Sequence, residues 1–497
     1  VPAEAERFAF CDSPLYSSAK VSPQTTVMKF GGTSVEDARA FERVADIVRA
    51  ERAKNPVVVV VSAMSRFTDA LLAAFGRAAS GEGERAAGAL EEHFARHTEV
   101  LRALLSEATA PHEAAGVVRK FDDVLDDARG RLGQTFRQAA AGDKPLPVLQ
   151  DLAVSFGEQL SSWLLTFVLD ARGTRAERVD ARECIITDDE HGRAAPLKEE
   201  TERHTRARLE PLIEQGYTPV MGGFIASSAA SGETTTLGRG GSDYTAGLVG
   251  AALRSKEIQI WTDVSGVLTA DPRVVAEARP IPRLSFAEAA ELAYFGAKVL
   301  HPKTILPAVV RHVPVRICNS REPKAAGTVV YFDAEMTPRT VKAIAHKTGV
   351  HIVHVTSARM LGAYGFLRAI FEVFERHRTA VDIVTTSEVS VSLSLEDLSA
   401  IDHITEDLKH IAAVRVESGR AIVCIVGEGL RSTPGIAGRV FSTVKDINVL
   451  LISQGASSIN LTFVVEERHA AEAVRLLHAA FFECATSELL SQIGGTQ

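Results

Sequence analysis

Residues 222–247 read GGFIASSAASGETTTLGRGGSDYTAG: an apolar run, small residues, a threonine cluster, then Gly238, Arg239, Gly240, Gly241, Ser242 and Asp243 at the head of a helical pattern. A strand, a glycine loop and a helix start suit an anion. The first N–H groups of a helix lack internal partners, and its dipole puts partial positive charge there. Glycines let the main chain approach a ligand, and the planar guanidinium of Arg239 matches a carboxylate bidentately. The plainer alternative is a tight turn capped by Ser242 or Asp243. The threonine run and the Asp at the helix start favour the anion site.

Other reactive side chains fall at comparable junctions. Lys29 ends a short strand signal, 26–30, just before Gly31 and Gly32, where open α/β sheets gather ligands; taken alone, it reads more readily as a solvated edge residue. The strand after it ends in a loop carrying Ser62 and Thr68, which are ligand contacts or simple caps. Glu158, in the run SFGE near the start of a helix over 149–170, has apolar neighbours, and carboxylates are rarely buried unpaired. It serves a cationic ligand or caps a turn. The loop that carries Thr262, Asp263, Leu268 and Arg273 alternates turn and apolar residues, a pattern suited to wrapping a planar ligand. Ser285 and Glu288 form a capping-box pattern at the head of a helix over 285–299. His301, before Pro302, reads as structural.

These residues need a scaffold that brings strand ends together. The five valines at 57–61 have no polar alternation, the mark of a strand covered on both faces. Further strands are expected over 179–186, 217–225, 258–262 and 313–318, with helices over 35–51 and 149–170. Residues 70–140 read as a helical excursion with solvated charged faces, and 188–208 as a charged, mobile segment. The alternation predicts an α/β fold, an αβα sandwich around a mainly parallel sheet. No GxxxxGK[ST] loop occurs, so any nucleotide binds by other means. Beyond residue 340 the pattern repeats at a spacing of about 70 residues. Each copy reads as a small βαββαβ module, and an exposed sheet edge predicts pairing between copies or chains. Asp382 in the first copy answers to Leu450 in the second, so only one module carries that negative charge. It meets a cationic ligand or points at solvent.

Composition narrows the class. A chain of 497 residues holds about three domains. The net charge of −8 argues against nucleic acid. The five cysteines show neither CxxC nor His-Cys ligand spacing, which argues against a zinc site or a disulfide framework and fits a reducing compartment. No uninterrupted apolar stretch approaches the ~20 residues of a membrane span, so a soluble chain is expected. Residues 1–25 read as an irregular arm without a signal-peptide core.

Together the motifs KFGGTS (29–34), SFGE (155–158), TTTLGRGGSDYTA (234–246), WTDVSG (261–266), TADPR (269–273) and FGAKVLHP (295–302) resemble the aspartate kinase family, and the tail resembles its paired ACT domains. The resemblance implies a monofunctional enzyme with a kinase domain over 26–335 and ACT domains over 340–420 and 421–497. It implies phosphorylation of the β-carboxylate of L-aspartate by ATP with Mg²⁺, the first step toward lysine, threonine and methionine. Aspartate would meet Thr68, Glu158, Arg239, Gly240, Gly241 and Ser242. ATP would meet Lys29, Gly31, Gly32, Thr262, Asp263, Leu268, Arg273, Lys298 and Val299, with Leu268 standing where relatives often carry Tyr. Lys29 and Asp243 would be catalytic. An amino-acid effector, lysine before threonine, would bind at Met360, Ala363, Gly365, Phe366, Leu367, Asp382 and Ser387; many lysine-sensitive relatives have Ser at the position of Ala363. A homodimer or homotetramer through the ACT domains is expected, in the cytoplasm or, if a transit peptide was removed, in a plastid. Kinases of glutamate, acetylglutamate or a nucleoside monophosphate, and a non-catalytic amino-acid sensor, are the rival readings.

Overall fold

The computed structural model describes residues 25–108, 111–296, 300–332, 340–362, 364–455 and 457–483. The expected N-terminal arm lies outside the described residues, apart from Thr25. The valine strand explains the first half of the chain. Val57, Val59 and Val61 lie in the core on one face of a sheet, and Val58 and Val60 in the core on the other. An unbroken β-branched run requires such two-sided cover. The eight-stranded sheet runs Ala176–Val179, Thr218–Gly222, Val57–Val61, Thr26–Phe30, Glu257–Thr262, Val315–Asn319, Thr328–Tyr331, Arg283–Ser285. Only Val315–Asn319 with Thr328–Tyr331 is antiparallel. Helices Ala38–Arg52, Phe67–Ala79, Glu91–Ala108, Pro111–Ala141 and Leu146–Ala171 cover one face. Lys198–Glu214, Gly241–Ala252, Phe286–Tyr294 and Pro302–Val310 cover the other.

Several local expectations give way. The strand expected over 179–186 ends at Val179, because the Asp180 carboxylate accepts from Arg182 N and caps a short 3-10 turn, Ala181–Glu183. Ile186–Thr187 then joins a separate three-stranded sheet with Ile225–Ser228 and Thr234–Thr236. The segment read as mobile instead enters the helix Lys198–Glu214, whose buried residues are Thr201, Thr205 and Leu209 at helical spacing. Glu158 lies in the middle of Leu146–Ala171, not near its start. That helix is long and apolar enough to cross a membrane, yet 83% of its apolar window is buried inside the fold. The capping box forms as expected, but its helix ends at Tyr294.

The second half is one six-stranded antiparallel sheet, ordered Val384–Thr386, Ser390–Leu395, Ala343–Thr356, Ala413–Val426, Asn460–Glu466, Leu451–Gln454. Its two long central strands serve both modules. Residues 350–356 pair with 413–420, and beyond an irregularity 343–347 pair with 422–426. The boundary expected at 420/421 therefore falls inside one strand, and the second module takes its fourth strand from upstream of the first. The repeat itself is visible in matching details. Gly365 (φ 79°) and Gly435 (φ 84°) each precede a helix without a side-chain cap. Asp382 N and Leu450 N each donate to the adjacent hairpin strand, at Ser394 O (3.0 Å) and Val464 O (2.8 Å).

The helix Phe286–Tyr294 joins the two halves along a stripe of residues three apart. Glu288 takes the ammonium of Lys342 at 2.7 Å in a buried pair, Glu291 accepts from Asn460 at 2.8 Å, and the Tyr294 hydroxyl donates to Asp382. Positions three apart share a helix face. The loop after Glu257–Thr262 is held as firmly: Ile344 N donates to Thr269 O (2.8 Å), the Thr269 hydroxyl meets His478 Nε2 (2.9 Å), and Ala270 and Val275 pack in the second module's core.

Candidate active site

Four parallel strands, Thr218–Gly222, Val57–Val61, Thr26–Phe30 and Glu257–Thr262, deliver their carboxyl ends to one rim of the sheet, the place where such sheets bind ligands. A cavity of ~280 Å³ there is lined by Lys29, Ser62, Thr68, Glu158, Phe224, Gly238, Gly240, Gly241, Ser242 and Asp243. Alternation along Thr26–Phe30 explains the direction of Lys29: Met28 and Phe30 belong to one core, so Lys29 turns toward the other side. There it meets Asp243 Oδ1 at 2.7 Å, both side chains being largely buried (11% and 16% exposed). Asp243 thus orients the ammonium instead of capping its own helix.

The helix Gly241–Ala252 opens after Gly240, held at φ 73°, with no side-chain cap. Gly241 N donates to Gly238 O at 3.0 Å, so the N–H groups that bring the helix's partial positive charge to the cavity rim are those of Ser242 and Asp243. The turn after Lys29 differs. Gly31 N donates to Trp261 O, and the longer helix Ala38–Arg52 is closed by Asp37, which accepts from Ala40 N at 2.8 Å. The 3-10 turn Gly32–Val35 between them also starts without a side-chain cap, so the glycine turn beside Lys29 stays open to an anion while the longer helix behind it is closed.

Close backbone approach shapes the floor. A Cβ on Gly222 would stand 2.9 Å from Glu158 Cβ, and one on Gly223 would stand 2.6 Å from Ser242 Cα. Phe224 follows with φ 66°, a left-handed conformation unusual for a bulky residue. Glu158 is buried, its Oε2 without a hydrogen bond among the described residues. Burial pushes its carboxyl up to about 8, against downward pulls from the Ala63 and Glu158 backbone and from the Lys29 ammonium. Such an acid, buried with one oxygen unsatisfied, pairs with a cationic group once it gives up its proton.

A second cavity, ~380 Å³, is lined by Val264, Gly266, Leu268, Ala270, Asp271, Pro272, Arg273, Leu292, Gly296, Ile344, Ala345 and His346. Its apolar wall is shared between the sandwich and the strand Ala343–Thr356. Thr262 and Asp263 lead into it from the strand beside Lys29. Arg273 is committed to Asp271 at 2.7 Å.

Of the expected substrate and catalytic residues, Lys29, Thr68, Glu158, Gly240, Gly241, Ser242 and Asp243 line the first cavity. Arg239 does not; its side chain is exposed between two left-handed glycines, Gly238 and Gly240. Gly31 and Gly32 flank Lys29, and Leu268 and Arg273 line the second cavity. Lys298, Val299 and Ala363 lie outside the described residues. Gly365, Phe366 and Leu367 form the head of the helix Phe366–Arg376, Met360 ends the preceding 3-10 turn Ala358–Met360 and packs with Phe366 on the module's core, and the exposed Ser387 hydroxyl meets Ser390 at 2.7 Å. The Asp382 carboxylate is only 5% exposed and is held by Tyr294 and Lys347 of its own chain. It neither faces solvent nor stands open.

Three supports were missed. Asp151, seven positions before Glu158 on the same helix, accepts from Thr236 Oγ1 (2.6 Å), Gly192 N (2.9 Å) and His191 Nδ1 (3.0 Å). It pins the threonine strand and the 188–194 loop beside Gly238. Arg96, on the helical excursion, donates to Ser65 O at 2.8 Å, so that face is not merely solvated. Phe224 is the third. A composition of charged and polar residues gave no sign of which would be buried; the threonine cluster opposite a polar helix position was the available hint for Asp151. Replacing Asp151 with alanine leaves several buried donors unpaired and is expected to destabilise the first half by about 3 kcal/mol in urea unfolding. A loss well under 1 kcal/mol would show that water or another group takes over.

The comparisons with known proteins agree with this geometry. Residues 24–319 match the model of the amino acid kinase family, and 423–481 match an ACT domain. The chain is 38% identical over 481 residues to aspartokinase 1, chloroplastic, of Arabidopsis thaliana, covering 94% of this chain and 82% of that one. It is 37% identical over 469 residues to lysine-sensitive aspartokinase 3 of Escherichia coli K12, covering 93% of this chain and all of that one. Among solved structures, E. coli aspartokinase III in complex with lysine and aspartate (T-state) superposes with a TM-score of 0.75 at 37% identity, over 92% of this chain and 100% of that chain. The same enzyme in complex with aspartate and ADP (R-state) gives 0.72 at 36% identity, over 93% and 100%. A three-layer sandwich with an uncapped, glycine-led helix facing a strand-end lysine is an amino acid kinase domain, here followed by ACT modules. Within that class the chain belongs to the aspartokinases.

Proposed function

We propose that the chain transfers the γ-phosphoryl group of MgATP to the β-carboxylate of L-aspartate, giving 4-phospho-L-aspartate and ADP. The observation that carries this reading is the meeting, in one cavity, of the Asp243-held Lys29, the open start of Gly241–Ala252 and the buried Glu158. The helix start and Lys29 supply positive charge for phosphoryl oxygens. Glu158 supplies the counter-charge for an ammonium. A carboxylate oxygen attacks the γ-phosphorus as the bond to the β-phosphate oxygen breaks. The nucleophile is already ionised at neutral pH, so no general base is needed. Catalysis is then a matter of aligning two anions and offsetting the charge that spreads over the transferring group.

Magnesium enters with the nucleotide. Asp243 is engaged with Lys29, which leaves the ion to be carried mainly by the phosphates. The second cavity, beside the neighbouring strand end, has the apolar lining expected for the base, with Leu268 and Leu292 as walls. An assay of ADP release tests the reading: turnover must require L-aspartate, and release indifferent to aspartate would refute it.

The first ACT module is the proposed effector site, with lysine as effector. Support comes from the buried Asp382 and the uncapped helix behind Gly365, which offer an anion for the side-chain ammonium and N–H groups for the carboxylate. The lysine-bound E. coli relative points the same way. Asp382→Ala is expected to abolish inhibition by lysine with little change in the uninhibited rate; unchanged inhibition would put the effector elsewhere. Exposed Leu361, Tyr364, Leu367, Phe371, Val384 and Val389 on this module fit contact with a second copy, in a homodimer or homotetramer.

A further inference from the structure

The carboxylate that would receive the effector's ammonium already has a cation beside it. Lys347, on the strand Ala343–Thr356, holds its Nζ 3.6 Å from Asp382 Oδ2 and in direct contact with Glu396. The same ammonium stands 4.5 Å above the ring of Tyr294, a cation–π distance. Tyr294 fixes the other oxygen, since its hydroxyl donates to Asp382 Oδ1. Burial and the neighbouring Asp382 keep that phenol protonated, so Tyr294 is the donor. One oxygen of Asp382 is thereby consumed and the other faces the cation side, buried and without a hydrogen bond among the described residues.

We propose that Lys347 is an internal occupant of the effector's cation subsite, so that lysine binds by displacing the Lys347 ammonium from Asp382. The inference rests on the reading that a lysine effector pairs with Asp382. At 3.6 Å Lys347 stops short of hydrogen-bond distance, its ammonium being drawn to Glu396 and the Tyr294 ring, whereas a free amino acid can close that gap. Two ammonium groups cannot share the one remaining oxygen without repulsion. The displaced side chain keeps Glu396, which is 54% exposed and already its nearest partner, so exchange requires no stranded charge. Glu291, the other acid near the Tyr294 ring, is engaged by Asn460 and offers no alternative home. Lys347 therefore sets the threshold at which the module responds. Its neighbour His346 lines the second cavity, so the displaced Lys347 lies one residue from the proposed nucleotide wall.

The test is inhibition by lysine, paired with calorimetry of lysine binding, for wild type, Lys347→Met, Lys347→Gln and Lys347→Arg. Removing the competing charge is expected to lower the half-inhibitory lysine concentration about tenfold in both neutral variants, with the uninhibited rate unchanged, while the arginine variant stays within about threefold of wild type. Agreement between the two neutral variants separates lost charge from lost packing. An unchanged or raised half-inhibitory concentration in both, with wild type still inhibited, would overturn the inference and leave the effector reading standing. Absence of lysine binding to wild type and to all three variants would overturn both.

Discussion

Replacing Lys29 with methionine is expected to lower kcat by about 10³-fold while leaving the affinity for aspartate within about an order of magnitude. The asymmetry follows from where the ammonium sits. It is held by Asp243 at 2.7 Å at the end of its strand, on the side of the open helix start and away from the apolar core behind Met28 and Phe30. Charge builds there as the phosphoryl group passes between two anions, so its loss is felt in the transition state more than in the ground state. Methionine keeps the length of the stem, and Asp243 is then left as an unpaired carboxylate facing the incoming phosphates, which deepens the loss. Steady-state kinetics with isothermal calorimetry separate the terms. A fall in kcat below tenfold, or a parallel collapse of aspartate binding, would remove Lys29 from its proposed role.

The second large effect concerns pH. Glu158 carries its proton up to about 8, because burial outweighs the pull of Lys29. Pairing with an ammonium needs the ionised form, so at pH 7 aspartate binding is expected to release about 0.9 of a proton. Affinity should then climb about tenfold per pH unit toward pH 8 and level off above it. Calorimetry in buffers of different ionisation enthalpy reads the proton directly. Glu158→Gln should abolish the release and raise the KM for aspartate by about 100-fold. The sign for stability is opposite to that of an ordinary salt-bridged acid. Between the unfolded value of 4.5 and about 8 the folded chain holds a proton that the unfolded chain does not. This group's contribution is therefore present at low pH and is lost as pH rises through 8. Binding that takes up no proton and releases none at pH 7 would mean that Glu158 does not meet the ammonium.

Much of this was legible in the residues. The valine strand declared the sandwich because five consecutive β-branched residues favour a strand, and a strand apolar on both faces needs cover on both. Lys29, Glu158 and the GRGGSD run were legible because each combines an unusual residue type with a strand end, a helix face or a glycine turn. What stayed hidden depended on partners distant in sequence. Lys198–Glu214 looks like solvent-exposed charge because its buried stripe is made of Thr201, Thr205 and Leu209, too polar to register as periodicity. Asp151 looks like any helix-surface acid until Thr236 and Gly192 arrive from 85 and 41 residues away. Arg239 had the right chemistry for a carboxylate, yet the two left-handed glycines around it leave the side chain outside the cavity lining. Asp382 was ambiguous because its partners, Tyr294 and Lys347, come from the other half of the molecule and from a strand of the neighbouring module.

The strand exchange between the modules has a consequence for how the chain can be made and cut. Residues 343–347 leave the ribosome well before their partners at 422–426, so their ladder waits for the whole intervening unit to be synthesised. A fragment starting at residue 421 would present an unmatched row of backbone donors and acceptors along its core, an invitation to self-association. A fragment ending at 420 would carry the mirror-image defect. Nature has laced the tail so that its halves mature together, and any dissection that respects the lacing must begin upstream of 343.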